Sequence, residues 1–330
     1  MASRARIGWM VAAVGLGGLA AVGYGLGRGA SPAEKAARAC TPGPVEPARL
    51  QAHVRALSET FAPRDHLHPE NLERAADYLA QALGRAGGRV HSEPYTADGV
   101  RYRNVVARFG PESDEVLVIG AHYDAAEDAP GADDNASGVA ALLELAARLG
   151  AAPPSMRVEL VGFTLEEPPH FRQPSMGSKV YARALRERGV KVRAMLSLES
   201  VGYFSDAPDS QQYPVAALKW RYPSEGRFLA VVGRTGDEAL LSTVHAALGA
   251  RAGLEVESLA APRALTGVDF SDHASFWDEG YPAVMVTDTA LFRHPGYHTP
   301  EDTWQRLDYA RMALAVQGVE CAVRALASRG

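Results

Sequence analysis

Five short stretches combine residue types that bind metals or move protons. The first is His122-Tyr123-Asp124, directly after an apolar run. Residues i and i+2 of an extended chain share a face. Asp124 is therefore placed to accept the His122 N–H and fix the ring for a metal. The second is the glycine-flanked turn Gly131-Ala132-Asp133-Asp134-Asn135-Ala136-Ser137-Gly138. The third, Phe163-Thr164-Leu165-Glu166-Glu167-Pro168-Pro169, puts two adjacent carboxylates where they repel unless a cation lies beside them. The fourth is Leu198-Glu199-Ser200, and the fifth is Tyr297-His298-Thr299-Pro300-Glu301-Asp302. Each has a plainer reading alone: a satisfied structural histidine, a helix cap, a solvated loop, or a helix start at Pro300. Together they bring imidazole and hard oxygen ligands to successive strand ends, which capping does not require. With no thiolate among them, the set suits Zn²⁺, Mn²⁺ or Co²⁺. A carboxylate bridging two metals would leave room for a shared water, as hydrolysis needs.

The elements around these stretches alternate. Residues 115–121 (EVLVIGA) are a continuous apolar run, expected as a strand buried on both faces. Residues 157–164 and 192–198 read as further central strands, and Val100–Phe109, Phe228 to Val232 and Ala283 to Thr287 as others. Pro69 opens a helix with Leu72, Ala75, Ala76, Leu79 and Leu83 on one face, stopped by Gly87-Gly88. A helix follows over 137–149, and Met312, Val316, Val319, Val323 and Leu326 define the face of a last one. The expectation is an α/β fold: a mostly parallel mixed central sheet with helices on both faces. Ligands in such folds collect at the carboxyl ends of the strands.

The N-terminus reads differently. Residues 7–26 form an uncharged stretch of 20 residues preceded by Arg4 and Arg6. That length spans a bilayer core, and the flanking arginines place the N-terminus in the cytoplasm. Residues 1–27 are therefore expected to be an uncleaved signal anchor, with a cleaved and secreted form as the alternative. A loose glycine fingerprint there lacks the βαβ context of a dinucleotide site. Residues 28–46, rich in Ala, Pro and Gly, read as a linker, and 47–330 as the catalytic domain. The domain is expected outside the cytoplasm, in the periplasm or beyond the cell.

Composition narrows the classes. The chain has 330 residues, 47% hydrophobic and 22% charged, with a net charge of −5 and no basic block. A nucleic-acid partner is not expected. Cys40 and Cys321 are too few for a disulfide framework or a cysteine-rich zinc module. No G-x-S-x-G elbow, H-E-x-x-H or P-loop offers a rival chemistry. Nothing in the sequence fixes the oligomeric state.

The stretches HYD, GADDNASG, FTLEEPP, LSLES and YHTPEDT occur in the order and spacing of the M28 zinc peptidases. The chain resembles that family over roughly residues 50–328. The resemblance implies a zinc-exopeptidase fold, a peptide substrate and two Zn²⁺ per chain. His122 and Glu199 would hold one ion, Glu167 and His298 the other, and Asp134 would bridge them. Glu166 would be the general base, and the Asp134–Asn135 peptide would be cis. The family often has Asp where this chain has Glu199; the longer arm still reaches a metal but leaves that ion's geometry open. Tyr297 is either a donor to the developing oxyanion or a packing residue. Asp272 and His273 also match family pattern and read as supporting or pocket residues.

Two other functions share the expected fold. Glutaminyl cyclases use one zinc and often carry Trp before the last histidine, where this chain has Tyr297. A tethered binding domain without catalysis would not need all five ligands and the base. Residues 200–227 lack periodicity. Their Tyr203, Phe204, Tyr213, Trp220 and Tyr222 form either a substrate wall or a loop packed on itself.

Overall fold

The computed structural model describes residues 29–328. Eight strands form one sheet: β1 (Arg89–Ala97), β2 (Val100–Phe109), β3 (Glu115–His122), β4 (Arg157–Phe163), β5 (Lys191–Glu199), β6 (Phe228–Arg234), β7 (Glu255–Ala261) and β8 (Ala283–Thr287). Their order is β1-β2-β4-β3-β5-β8-β6-β7. The centre, β4-β3-β5-β8, is parallel. β2 joins β4 and β6 joins β8 antiparallel, so the sheet is mixed as expected.

Eight α-helices accompany the sheet among the described residues: α1 (Pro32–Ala39), α2 (Pro47–Arg55), α3 (Pro69–Arg85), α4 (Gly138–Ala151), α5 (Gly177–Glu187), α6 (Glu238–Gly249), α7 (His273–Asp278) and α8 (Tyr309–Ala327). The central strands point alternate residues to opposite faces, and both sets are apolar. Leu117 and Ile119 of β3 pack with Val139 and Leu142 of α4 and Val316 and Val319 of α8. Val116 and Val118 pack on the other side with Tyr181 of α5 and Phe276 of α7. A strand apolar on both faces is stable only with both faces covered, which this two-layer helix cover supplies. Burying each large apolar side chain stabilises by about 1.5–3 kcal/mol.

Three features differ from the sequence reading. First, the described part of the expected linker 28–46 is folded. Ser31 caps α1, accepting the Glu34 N–H while the Glu34 carboxylate accepts its own. Cys40, just past α1, forms a disulfide with Cys321 of α8. Closing so long a loop limits the unfolded chain, a contribution on the order of 4–5 kcal/mol. Second, α8 begins at Tyr309 behind the cap Asp308, which accepts the Arg311 N–H; it does not begin at Pro300. Third, β1, β7 and the helices α2, α5, α6 and α7 were not anticipated.

Residues 7–26, expected to cross a membrane, lie outside the described residues. Among the described residues no helix is long and apolar enough to do so.

Candidate metal centre

All five expected ligands meet at the carboxyl edge of the parallel strands. β3 ends on His122, and β5 ends on Glu199. β4 delivers Glu166 and Glu167 just past its end. The backbone turns sharply at each delivery: Leu165, Ser200 and His298 are non-glycine residues with φ of 59°, 47° and 55°. Such left-handed residues cluster where function dictates the backbone. Here the turn at Leu165 lets two consecutive glutamates both enter the site.

Asp134 lies at the middle of the group. Its Oδ1 is 3.2 Å from His122 Nε2, and its Oδ2 is 3.0 Å from His298 Nε2. His122 Nε2 also lies 3.2 Å from Glu199 Oε2. His298 Nε2 lies 3.2 Å from Glu167 Oε2. Two half-sites result, each a histidine plus a glutamate, sharing one aspartate. Glu166 stands beside them, its Oε2 3.9 Å from His122 Nε2.

The turn that carries Asp134 is held from several sides. The Asp134–Asn135 peptide is cis, as the family resemblance implied. Asn135 donates from Nδ2 to the Leu198 carbonyl (2.9 Å) and accepts at Oδ1 from the Gly138 and Ser200 amides. Gly138 admits no larger residue, because a Cβ there would lie 2.3 Å from Asn135 Oδ1. Asp302 accepts the backbone N–H groups of Asp133 (2.9 Å) and Asp134 (3.1 Å). So the stretch expected as a helix start instead clamps the bridging turn. The neighbouring Asp133 accepts the Gly202 amide at 2.9 Å.

Arg64 is a second support that the sequence reading missed. It is fully buried and donates to the carbonyls of Leu57, Tyr123, Pro130 and Gly131. One guanidinium thus ties the loop after β3 to the bridging turn. Burial lowers its pKa to about 10, against the pull of Asp302, Asp124 and Asp134.

The supporting roles divide. His122 Nδ1 faces Asp124 through both its carbonyl (3.2 Å) and its carboxylate (3.5 Å). The same carboxylate accepts the Glu167 amide at 3.0 Å, orienting both half-sites. Glu199, the departure from family pattern, is held by hydroxyl donors from Ser271 (2.7 Å) and Ser200 (3.1 Å). Asp272 is buried close to these groups; burial raises its pKa to about 7, against the pull of His122. His273 instead bonds the Val268 carbonyl and packs edge-on against Trp277. Tyr297 stacks on His298, with ring centroids 3.9 Å apart.

The electrostatics fit cations. Burial raises the Glu167 pKa to about 7, with the Asp134 charge adding and His298 opposing. Burial also drives Glu166 well above the usual carboxylate range; His122 opposes this, and Glu167 and Glu199 add to it. Burial would lower His298, yet its bonds to Asp134 and Glu167 raise it to about 10. Both histidines overcome the effect of burial on Asp134 and hold its carboxyl below the usual range. His122 Nε2, Asp134 Oδ1 and Glu167 Oε1 are buried without a hydrogen-bond partner. Ligand atoms of these three residues lie within 4.8 Å of one another. Buried polar atoms are rarely left unpaired, and these three residues are close enough together to hold a cation. Histidine and carboxylate donors of this kind fit zinc.

The fold and the centre define a metallopeptidase architecture, and comparison with known proteins agrees. The model of peptidase family M28 matches residues 104–320, so the chain belongs to that family of metal-dependent hydrolases. It is 45% identical to "Uncharacterized protein YfbL" of Escherichia coli K12, over 84% of this chain and 88% of that protein. A probable leucine aminopeptidase of Arthroderma otae is 25% identical, over 61% of this chain and 51% of that protein. Among solved structures, the zinc aminopeptidase BSAP of Bacillus subtilis superposes with TM-score 0.67 at 16% identity, covering 85% of this chain and 94% of that one. Bacteroides thetaiotaomicron glutaminyl cyclase superposes with TM-score 0.64 at 18% identity, covering 86% and 99%.

Proposed function

We propose that the protein is a di-zinc aminopeptidase. The observation that carries this reading is the bridging geometry: the two oxygens of Asp134 face different histidines, each paired with its own glutamate. His122, Glu199 and Asp134 would hold one ion, and His298, Glu167 and Asp134 the other. Bound there, the ions would acidify a water and polarise the scissile carbonyl. Glu166, which has no ligand role in this scheme, takes the proton from that water and returns it to the leaving amine. Tyr297, between the centre and the adjoining cavity, donates its hydroxyl to the oxyanion. The likeness to a probable leucine aminopeptidase supports removal of N-terminal residues.

The test joins two measurements on the purified, zinc-loaded full chain. Elemental analysis is expected to find about two zinc ions per chain, and aminoacyl-nitroanilides to be hydrolysed. One ion or none would remove the di-metal reading. Cyclisation of N-terminal glutamine without nitroanilide hydrolysis would replace the peptidase reading with the cyclase one.

The Cys40–Cys321 disulfide supports a working place outside the cytoplasm, since such bonds persist in oxidising compartments. With residues 7–26 as an anchor, protease added to wall-stripped intact cells is expected to digest the catalytic domain. A protected domain would reverse the topology.

A further inference from the structure

A cavity of about 100 Å³ adjoins the metal centre, with Glu199 and Tyr297 among its lining residues. Its walls are mostly apolar. Tyr213, Tyr222, Phe228, Phe270 and Met285 line it, and Glu257 is the other carboxylate on its wall. Of the aromatic residues singled out in 200–227, only Tyr213 and Tyr222 reach it. Tyr203 stacks on His294, and Trp220 is 90% exposed.

The sheet register fixes where Glu257 stands. Glu199 pairs with Thr287, Thr287 with Ala230, and Ala230 with Glu257. These four residues form one row across β5, β8, β6 and β7. Cross-strand partners share a face, so Glu257 faces the same side as the metal-site Glu199, three strand spacings away. At about 4.8 Å each, that is about 14 Å between their backbones. The side chains on the row reach into the gap. A lysine or arginine stem, at roughly 1.5 Å per bond, extends about 6 Å or more from its own Cα and closes most of what remains.

The chemistry of the wall is specific. Glu257 is half-buried and makes no hydrogen bond or ion pair among the described residues. The two neighbouring tyrosine hydroxyls are committed elsewhere: Tyr213 donates to the Pro223 carbonyl and Tyr222 to the Ser258 carbonyl. The tyrosine rings lie nearly parallel, 25° apart with centroids at 6.1 Å. Aromatic faces of this kind take both an aliphatic stem and a cation. Burial raises the Glu257 pKa, with Arg221 opposing and Glu255 adding.

We infer that this cavity receives the substrate's N-terminal side chain and selects Lys or Arg there, with Glu257 as the specificity-determining residue. The inference rests on the aminopeptidase reading and adds the class of substrate to it. A leucine side chain would fill the inner, apolar part and leave Glu257 unpaired.

Two readouts separate this inference from the reading beneath it. The first is binding of arginine amide and leucine amide to the full chain by calorimetry, for wild type and Glu257→Gln. Wild type is expected to bind arginine amide about 10- to 100-fold more tightly than the variant does. Leucine amide should bind both within about threefold. Equal binding of arginine amide by the two proteins would overturn the role of Glu257, whether or not the enzyme turns over. The second readout is kcat/KM on Lys-, Arg-, Leu- and Phe-nitroanilides. Wild type should favour the cationic pair about tenfold or more, and Glu257→Gln should erase that preference while keeping Leu hydrolysis. Preference for Leu or Phe in wild type would overturn the inference and leave the aminopeptidase reading standing. Hydrolysis of none of the four would overturn the aminopeptidase reading, and binding would still decide the cavity. The position is half-exposed on the edge strand β7, so an unchanged melting temperature is expected and checks that the variant folds.

Discussion

Glu166→Gln is expected to lower kcat by about 10²–10⁴-fold while leaving zinc content near that of wild type. Glu166 is buried beside the centre, yet the closest histidine nitrogen is at 3.9 Å, whereas the four ligand approaches fall between 3.0 and 3.2 Å. It is therefore positioned to face a substrate or water without being needed to hold an ion. Glutamine keeps the volume and one carbonyl oxygen but cannot accept the proton. Burial raises the Glu166 pKa well above the usual carboxylate range, against the pull of His122, and Glu167 and Glu199 raise it further. Zinc content and kcat measured on the same preparation check this. Activity within tenfold of wild type would mean that another group is the base; lost zinc would mean that Glu166 is a ligand.

Part of the centre was legible in the sequence because His122, Glu167 and Glu199 follow apolar strands, whereas the places of Asp134 and His298 came from the family resemblance. A continuous apolar run ends where the chain leaves the sheet, so the sequence itself places His122 and Glu199 at an edge. The helix α3 was legible for a similar reason: its five apolar residues share one face, and all five are buried. The edge strands were not. β1 alternates exposed and half-buried residues and contains Pro94, and β7 carries Glu255 and Glu257. An edge strand has no need of two apolar faces and so lacks the signal that marked the centre. The same gap hid the cavity's acidic wall. The helix α1 is short and rich in alanine, and only its Ser31-x-x-Glu34 capping box distinguished it from a linker.

The supports of the site were the least legible part. Arg64 works through four backbone carbonyls, groups that every residue carries, so nothing in its neighbours' identities pointed to it. Asp302 was visible but ambiguous. An acid after Thr-Pro-Glu looks like the first turn of a helix, yet its carboxylate accepts two amides of the distant turn 133–134. Both residues set where Asp134 stands without touching a presumptive metal position. Glu199 shows a third kind of compensation. Its longer arm, compared with the aspartate common in the family, is fixed by the Ser271 and Ser200 hydroxyls.

Asp134→Ala is expected to empty the centre: from about two zinc ions per chain to fewer than one, with turnover falling below detection. Each half-site otherwise has one histidine and one glutamate, and zinc at a catalytic centre takes at least three protein ligands. Removing the shared carboxylate leaves both half-sites short at once, so the losses are coupled. The effect therefore exceeds that of removing Glu199 or Glu167, which strips one half-site only. Asp302→Ala provides the graded comparison. It deletes no ligand but frees the amides of Asp133 and Asp134, and changes of this supporting kind weaken metal binding by about 10–100-fold. Zinc titration of the two variants against wild type, read by a metal-competing dye, checks the order. The bridging role fails if Asp134→Ala retains both ions, since the oxygens facing His122 and His298 would then be serving only as hydrogen-bond partners of the rings. It also fails if exactly one ion is lost with the other bound as tightly as before, because a bridge cannot be removed from one metal alone.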